Sequence, residues 1–119
     1  RGQPVILNLW ASWCKPCQAE MPALENVYQK LNDQGLVILA VNITSQDQEL
    51  NVREFLVNSM LTFTVLLDRE GEVEELYWVK AFPTTYFIDQ EGVIRSVVIG
   101  GPMPESLISS NVSKLLEGK

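Results

Sequence analysis

A chain of 119 residues, 46% of them hydrophobic and 20% charged, is large enough for one globular domain with one hydrophobic core. Its net charge of −6 lacks the basic footprint of a nucleic-acid-binding protein and disfavours docking on an anionic membrane. The lack of histidine excludes Cys–His and Ser–His catalysis and His-ligated metals, and two cysteines are too few for a disulfide framework.

Hydrophobic periodicity predicts strands that alternate with helices. Continuous apolar runs indicate buried strands, and apolar residues at helical spacing indicate amphipathic helices. In chain order the predicted elements are strand 4–10, helix 12–33, strand 36–43, helix 47–60, strand 63–67, short helix 72–79, strands 84–89 and 93–100, and helix 104–117. The alternation implies parallel strands, and the last two strands are predicted to form an antiparallel hairpin. The predicted fold class is α/β, with a mixed sheet and helices on both faces.

The predicted helices each carry an apolar face. On the first helix this face consists of Cys17, Met21, Leu24, Tyr28 and Leu31. On the second it consists of Val52, Phe55, Leu56, Ser59 and Met60, and on the last of Ile108, Val112 and Leu115. Pro22 is expected to kink the first helix and Gly35 to end it. Trp10 and Trp78 are assigned to the core.

Both cysteines lie in "WASWCKPC", where the first strand gives way to the first helix. Helical residues i and i+3 have Cα atoms about 5–6 Å apart, which is within the range for a disulfide. A helix N-terminus also stabilises a thiolate, the nucleophile in disulfide exchange. We therefore predict a redox pair in which Cys14 is the exposed attacking thiol and Cys17 the buried resolving thiol. Pro16 suits the first helical turn, where its missing N–H is not needed.

Other interpretations of the pair stay open. A structural zinc site needs four ligands, so it would require a second chain or carboxylate ligands. Two unreactive structural cysteines also fit the spacing, although the flanking tryptophans and the strand-to-helix position disfavour them. A thiol peroxidase is disfavoured because its reactive cysteine normally lies in a Pro-x-x-x-Thr/Ser-x-x-Cys pattern. Residues 7–14, "LNLWASWC", lack that proline and that hydroxyl.

Two motifs about 70 residues apart give the chain a family resemblance. "WASWCKPC" resembles the WCxxC active-site motif of the thioredoxin fold, and "FPTTYFID" is similar to the segment that carries that family's cis-proline. "LNLWASWCKPCQAEMPAL" and the strand–helix stretch at 36–60 resemble the TlpA/ResA group, whose members are extracytoplasmic thiol–disulfide oxidoreductases, often serving cytochrome c maturation. The resemblance covers essentially the whole chain and implies a thioredoxin-like three-layer α/β/α fold.

The resemblance also implies the roles of site residues. Cys14 attacks, Cys17 resolves, and a cis Phe82–Pro83 peptide presents the backbone of Phe82 to an extended substrate segment. Typical thioredoxins carry an acidic residue at the position of Asn8, so Glu20, three residues after the second cysteine, is expected to carry the Cys17 proton. The residues expected to contact substrate are Trp13, Lys15, Pro16, Phe82 and Pro83.

The residues alone permit simpler interpretations of three of these positions. Glu20 would then be a solvated helix carboxylate, Trp13 a core side chain, and Pro83 a trans turn proline. Lys15 favours a Cys14 thiolate by its charge, but an exposed lysine is screened by solvent and salt.

Beyond the disulfide itself, no cofactor and no metal are expected. The implied partners are a protein disulfide substrate, with apocytochrome c as a candidate, and an upstream thiol donor, but no nucleic acid. No apolar run reaches the roughly 18 residues of a membrane span, so a membrane anchor would lie outside this chain. The resemblance implies one domain, 1–119, excised from a longer protein, acting as a reductant in the periplasm or on the outer face of a bacterial membrane. The alternative function is a thioredoxin-like interaction or redox-sensing domain without turnover.

Overall fold

A mixed β-sheet organises the protein in this computed structural model, which describes residues 2–77 and 79–117. The strands are β1 (Val5–Trp10), β2 (Val37–Asn42), β3 (Thr64–Leu67), β4 (Thr84–Ile88) and β5 (Ile94–Ile99). The helices are α1 (Lys15–Leu31), α2 (Glu49–Ser59), α3 (Glu72–Tyr77) and α4 (Glu105–Glu117). Short 3-10 turns cover Asn32–Gln34 and Thr44–Gln46. Trp78 lies outside the described residues, so its assignment to the core stays a prediction.

The strands follow the order β3-β2-β1-β4-β5 across the sheet. Strand β1 pairs in parallel with β2, as β2 does with β3. Strand β4 runs antiparallel to both β1 and β5, so the predicted closing hairpin is confirmed. The thioredoxin-like α/β fold with a mixed sheet, expected from the sequence, is the fold observed.

Successive residues of β1 point to opposite faces of the sheet and enter separate apolar clusters. Ile6 and Trp10 contact the cluster that α1, α2 and α4 cover, whereas Leu7 and Leu9 contact a smaller cluster on the side of α3. Both faces are therefore covered by helices, which explains why the strand has an almost unbroken apolar sequence. Trp10 is fully buried, as predicted. None of the helices in the described part of the chain has the length and apolar character needed to cross a bilayer.

Helix α1 is shorter at both ends than the predicted helix 12–33. Helix α1 begins at Lys15 rather than at residue 12, because the backbone of Cys14 is extended and its sulfur accepts the N–H of Cys17. The helix continues through Pro22 to Leu31, and Gly35 ends the following turn in the left-handed conformation, with φ at 96°.

The predicted helix faces are confirmed on α4 and, apart from Met60, on α2, where Phe55 and Leu56 pack against the cluster that contains Val52. Ile108, Val112 and Leu115 are buried, as are the first three residues of the α1 stripe, Cys17, Met21 and Leu24. On α2 only Val52 is buried; Phe55, Leu56 and Ser59 are partly exposed. Met60 was predicted on the same side of the helix as these residues but is 83% exposed. Its left-handed backbone, with φ at 55°, ends the helix and turns the side chain outwards.

Candidate active site

Cys14 and Cys17 form a disulfide at the N-terminus of α1. Their Cα atoms are 5.3 Å apart, as the helical spacing predicts. The backbone N–H of Cys17 points at the Cys14 sulfur over 3.2 Å, and Pro16 occupies the first turn, where no N–H is needed. The described residues contain no cluster of three or more Cys, Asp or Glu side chains arranged to hold a metal ion.

Cys14 is only 4% exposed, which corrects the prediction of an exposed attacking thiol. In the oxidised pair its sulfur is bonded to Cys17 and lies over the first turn of the helix, within the apolar cluster that includes Ala11 and Phe82. Cys17 is fully buried, as predicted.

A bracket of hydrogen bonds holds the loop that precedes the cysteines. Ser12 donates its backbone N–H and its hydroxyl to Asp47, at 2.5 and 2.6 Å. The indole N–H of Trp13 donates to the carbonyl of Gln46 at 2.7 Å. The segment before α2 therefore fixes the position of the loop between β1 and α1.

Asp47 was not identified from the sequence, although it anchors this loop. Its partial burial alone would raise its pKa, but the hydrogen bonds from Ser12, Asn42 and Gln48 outweigh burial and lower the pKa of Asp47 below its usual value. An aspartate just before a helix is a common capping residue, so nothing in its local sequence distinguishes this one.

Aromatic side chains form an exposed rim beside the disulfide. Trp13 is 57% exposed, and its ring meets the edge of Phe82 with centroids 5.6 Å apart. The Phe82–Pro83 peptide bond is cis, and Pro83 is buried. Lys15 is exposed and Pro16 partly exposed on the first turn of α1. The structure thus rules out a core position for Trp13 and a trans peptide before Pro83.

Glu20 is fully buried below the cysteines, one turn further along α1. Its Oε2 accepts the Asn8 side-chain amide at 2.9 Å, and its Oε1 accepts the backbone N–H of Met103 at 3.0 Å. Burial raises the pKa of Glu20 above its usual value, and these two hydrogen bonds only partly counteract it. The structure therefore excludes a solvated helix carboxylate at this position.

Gly101 packs directly against that carboxylate. A Cβ atom at this position would lie 2.6 Å from Glu20 Oε1 and 3.1 Å from Pro83 Cγ. Because Gly101 has no side chain, its backbone can lie against both the Glu20 carboxylate and the ring of Pro83. The sequence did not reveal this requirement.

All these groups lie at one end of the sheet, where β1 and β2 end and β4 begins. A groove of about 330 Å³ next to Trp13 lies between the start of α1 and one side of α2. A larger cavity, of about 580 Å³, lies at the other end of β4, around the turn that follows Asp89. This larger cavity therefore does not adjoin the disulfide.

Comparisons with known proteins match most of the chain. Residues 1–97 match the sequence model of the AhpC/TSA family. The thioredoxin-like protein YneN of Bacillus subtilis is 44% identical over 101 residues, covering 84% of this chain and 58% of that protein. The thiol-disulfide oxidoreductase ResA of Geobacillus thermodenitrificans is 39% identical over 107 residues, covering 90% of this chain and 60% of that protein. The chain thus spans less than two thirds of the length of these curated relatives.

The fold is also similar to solved structures. The crystal structure of StoA from Bacillus subtilis superimposes with a TM-score of 0.82 and 31% sequence identity. The match covers 94% of this chain and 84% of that chain.

Proposed function

Because the chain belongs to the AhpC/TSA family and to the TlpA/ResA-like group of thioredoxin-fold proteins, we propose that it is a thiol–disulfide oxidoreductase acting on protein disulfides. The observation that carries this proposal is the Cys14–Cys17 disulfide at the N-terminus of α1, with the exposed ring of Trp13 beside it. A helix N-terminus favours the thiolate, and an exposed aromatic ring offers a partner protein apolar contact.

The proposed reaction runs through a mixed disulfide. The reduced Cys14 thiolate attacks one sulfur of the substrate disulfide, and the other substrate sulfur leaves as a thiolate. Cys17 then loses its proton and attacks the Cys14 sulfur, which releases the second substrate thiolate and forms the Cys14–Cys17 disulfide. Two electrons pass to the substrate, and an upstream thiol donor returns the pair to the dithiol.

Glu20 is proposed to accept the Cys17 proton in the second step. It follows Cys17 by three residues on α1, so both side chains lie on the same face of the helix. Burial raises the pKa of Glu20 and so brings it closer to that of a thiol, which favours proton transfer from Cys17. Trp13, Lys15, Pro16, Phe82 and Pro83 are proposed to contact the substrate, with the backbone of Phe82 pairing with an extended segment.

The direction, location and substrate are proposed from the family resemblance. We propose a reductant that acts outside the cytoplasm, in the periplasm or on the outer face of the membrane, with cytochrome c maturation as its setting and apocytochrome c as a candidate substrate. The redox-active disulfide would be its sole cofactor. A reduction potential near −270 mV would fit a reductant and one near −120 mV an oxidant. Equilibration with thiol buffers, followed by Trp13 fluorescence, measures this potential.

Turnover tests the proposal. The protein is incubated with dithiothreitol and insulin, and insulin reduction is compared with that of Cys14→Ser and Cys17→Ser. We expect loss of catalysis in both variants. When the reduced variants react with insulin after dithiothreitol has been removed, a trapped mixed disulfide is expected only in Cys17→Ser, which keeps the attacking thiol. If the wild type and Cys14→Ser are indistinguishable, the domain is an interaction or sensing module without turnover. Peroxide consumption is measured in parallel and expected to be absent, because the apolar side chains of Leu7 and Ala11 occupy the positions of the peroxidase proline and hydroxyl.

A further inference from the structure

The Asn8 side chain is fully buried and makes an incomplete set of hydrogen bonds. Its Nδ2 donates to Glu20 Oε2 at 2.9 Å and to Thr85 Oγ1 at 3.0 Å. Its Oδ1 is buried and has no hydrogen-bond partner among the described residues. Buried polar atoms are almost always paired, so an unpaired oxygen next to a buried acid calls for an explanation.

Both oxygens of Glu20 face N–H donors, one from Asn8 and one from the backbone of Met103. This arrangement satisfies a carboxylate, which only accepts hydrogen bonds. A protonated Glu20 carries an O–H that needs an acceptor, and neither donor can supply one. The Met103 N–H is fixed by the backbone, whereas the Asn8 amide exchanges its oxygen and nitrogen when it turns by half a revolution.

We propose that Asn8 is a positioning residue whose side-chain amide turns when Glu20 binds a proton, donating to the carboxylate in one state and accepting from the carboxylic acid in the other. Turning replaces the two hydrogen bonds that Nδ2 donates with two that Oδ1 accepts, and the unpaired Oδ1 has no hydrogen bond of its own to lose. Thr85 suits both orientations because its hydroxyl accepts from Nδ2 in one and donates to Oδ1 in the other.

The role in exchange rests on the proposed function, in which Glu20 takes the proton of Cys17. The proton leaves the Cys17 sulfur and binds a Glu20 oxygen, so one negative charge moves from the carboxylate to the thiolate. The turned Asn8 then holds the new O–H, and it turns back when the proton leaves for solvent or for a departing substrate thiolate. Asn8, which does not titrate, thereby stabilises both protonation states of Glu20.

Few groups that titrate face Glu20. Asn8 on β1, Thr85 on β4, and Pro83 and Gly101 in the adjoining loops carry no charge at any pH of interest. None of the causes that shift the pKa of Glu20 is a neighbouring charge. On α1 itself, the cysteines one and two turns earlier are joined in the disulfide and do not titrate in the oxidised protein. In the oxidised protein, the titration of Glu20 can therefore be measured without interference from the cysteine thiols.

Nuclear magnetic resonance of the isotopically labelled, oxidised protein tests the proposal directly. The Glu20 carboxyl carbon and the Asn8 side-chain amide are followed through a pH titration. We expect the nuclear Overhauser contact between the Asn8 amide protons and the Thr85 side chain to be present above the Glu20 midpoint and lost below it, and the amide of the exposed Asn58 not to show that midpoint. If that contact persists below the Glu20 midpoint, the amide does not turn and the proposal is wrong. The experiment does not depend on turnover, so its result can be distinguished from a failure of the proposed function.

Glu20→Gln gives a second, independent measurement. A glutamine that accepts the Met103 N–H with its oxygen presents its NH₂ group to Asn8, as a carboxylic acid presents its O–H. The Asn8 amide signals of this variant should then match those of the acidic wild type and remain independent of pH. Signals that match the alkaline wild type instead would contradict the proposal. Asn8→Leu, which offers neither donor nor acceptor, should raise the Glu20 titration midpoint and displace the pH–rate profile in the same direction.

Discussion

The carboxylate of Asp47 accepts two hydrogen bonds from Ser12, one from its backbone N–H and one from its hydroxyl. This pair joins the loop before the redox cysteines to the segment before α2. The neighbouring bond from the Trp13 indole to the Gln46 carbonyl closes the same bracket. The position of the Cys14 backbone and of the Trp13 ring therefore depends on a segment more than 30 residues away in the chain.

Asp47→Ala should loosen this loop and reduce both stability and turnover. Leaving the donors of Ser12 and Asn42 without their acceptor should lower the free energy of unfolding by roughly 1–3 kcal/mol. A misplaced Cys14 should lower kcat/KM for insulin reduction by about tenfold, or roughly 1.4 kcal/mol. Urea unfolding and the turnover assay measure the two effects. Asp33→Ala, at an exposed aspartate, is the matched control, and equal losses in both variants would contradict the role of the bracket.

The pH dependence of this Asp47 effect has a definite sign. Since the pKa of Asp47 is lowered in the folded protein, its contribution to stability is present above its unfolded value of about 3.8 and is lost as the pH falls through the folded pKa. The stability difference between the wild type and Asp47→Ala should thus be constant from pH 5 to pH 8 and shrink below pH 3.8. A difference that grows on acidification would contradict the lowered pKa.

Glu20→Gln should stabilise the oxidised protein at neutral and alkaline pH. Burial raises the pKa of Glu20, so its favourable contribution is complete below the unfolded value of about 4.5 and is lost as the pH rises through the folded pKa. The glutamine variant lacks this loss, and its advantage in the free energy of unfolding should grow from pH 4 to pH 8. Denaturant titrations at both values check it, with the exposed Glu54→Gln as the control. An advantage that is the same at both values would mean that Glu20 titrates normally.

The same substitution should change the kinetics of exchange. Removing the negative charge next to the cysteines should move thiolate formation to lower pH, and removing the proton acceptor should slow the resolving step near neutral pH. Stopped-flow measurement of Trp13 fluorescence against pH follows both changes. An unchanged pH–rate profile would show that Glu20 has no part in proton transfer.

The sequence correctly predicted the features that depend on local patterns. The Cys14–Cys17 distance follows from helix geometry, and the fold follows from alternating strands and helices. Contacts between distant segments were not predictable in this way. Asp47 resembles any aspartate before a helix, and the burial of Cys14 depends on packing against loops that only the folded chain brings together.

Trp13→Ala should weaken reduction of protein disulfides more than reduction of small ones. The exposed ring offers contact area to a protein partner, whereas a small disulfide needs only the Cys14 sulfur. We expect kcat/KM for insulin to fall by about tenfold and that for oxidised glutathione by less than about threefold, at a stability change under about 1 kcal/mol. Trp13→Phe, which keeps a ring against Phe82, is the control. Equal losses with both substrates would assign the ring to positioning of the cysteines.

Gly101→Ala should destabilise the protein through the buried acid. The new Cβ would lie 2.6 Å from Glu20 Oε1, so the carboxylate or the backbone at position 101 must move. Gly101 does not have the left-handed backbone found at Gly100, so strain in φ is not the reason. Overpacking of this kind lowers the free energy of unfolding by roughly 1–3 kcal/mol. Urea unfolding of the single variant measures this loss.

Glu20→Ala in the same chain identifies the cause of that loss. Truncating the glutamate removes the atom that the new methyl group meets, so Gly101→Ala should be less destabilising in the Glu20→Ala background than in the wild type. The residual effect reports the second contact, 3.1 Å from Pro83 Cγ, which the truncation leaves in place. Additive effects in this double-mutant cycle would show that Gly101 and Glu20 do not interact. Coupling instead would show that Gly101 and the buried Glu20 pack against each other, so that a substitution at either position changes the packing below the cysteines.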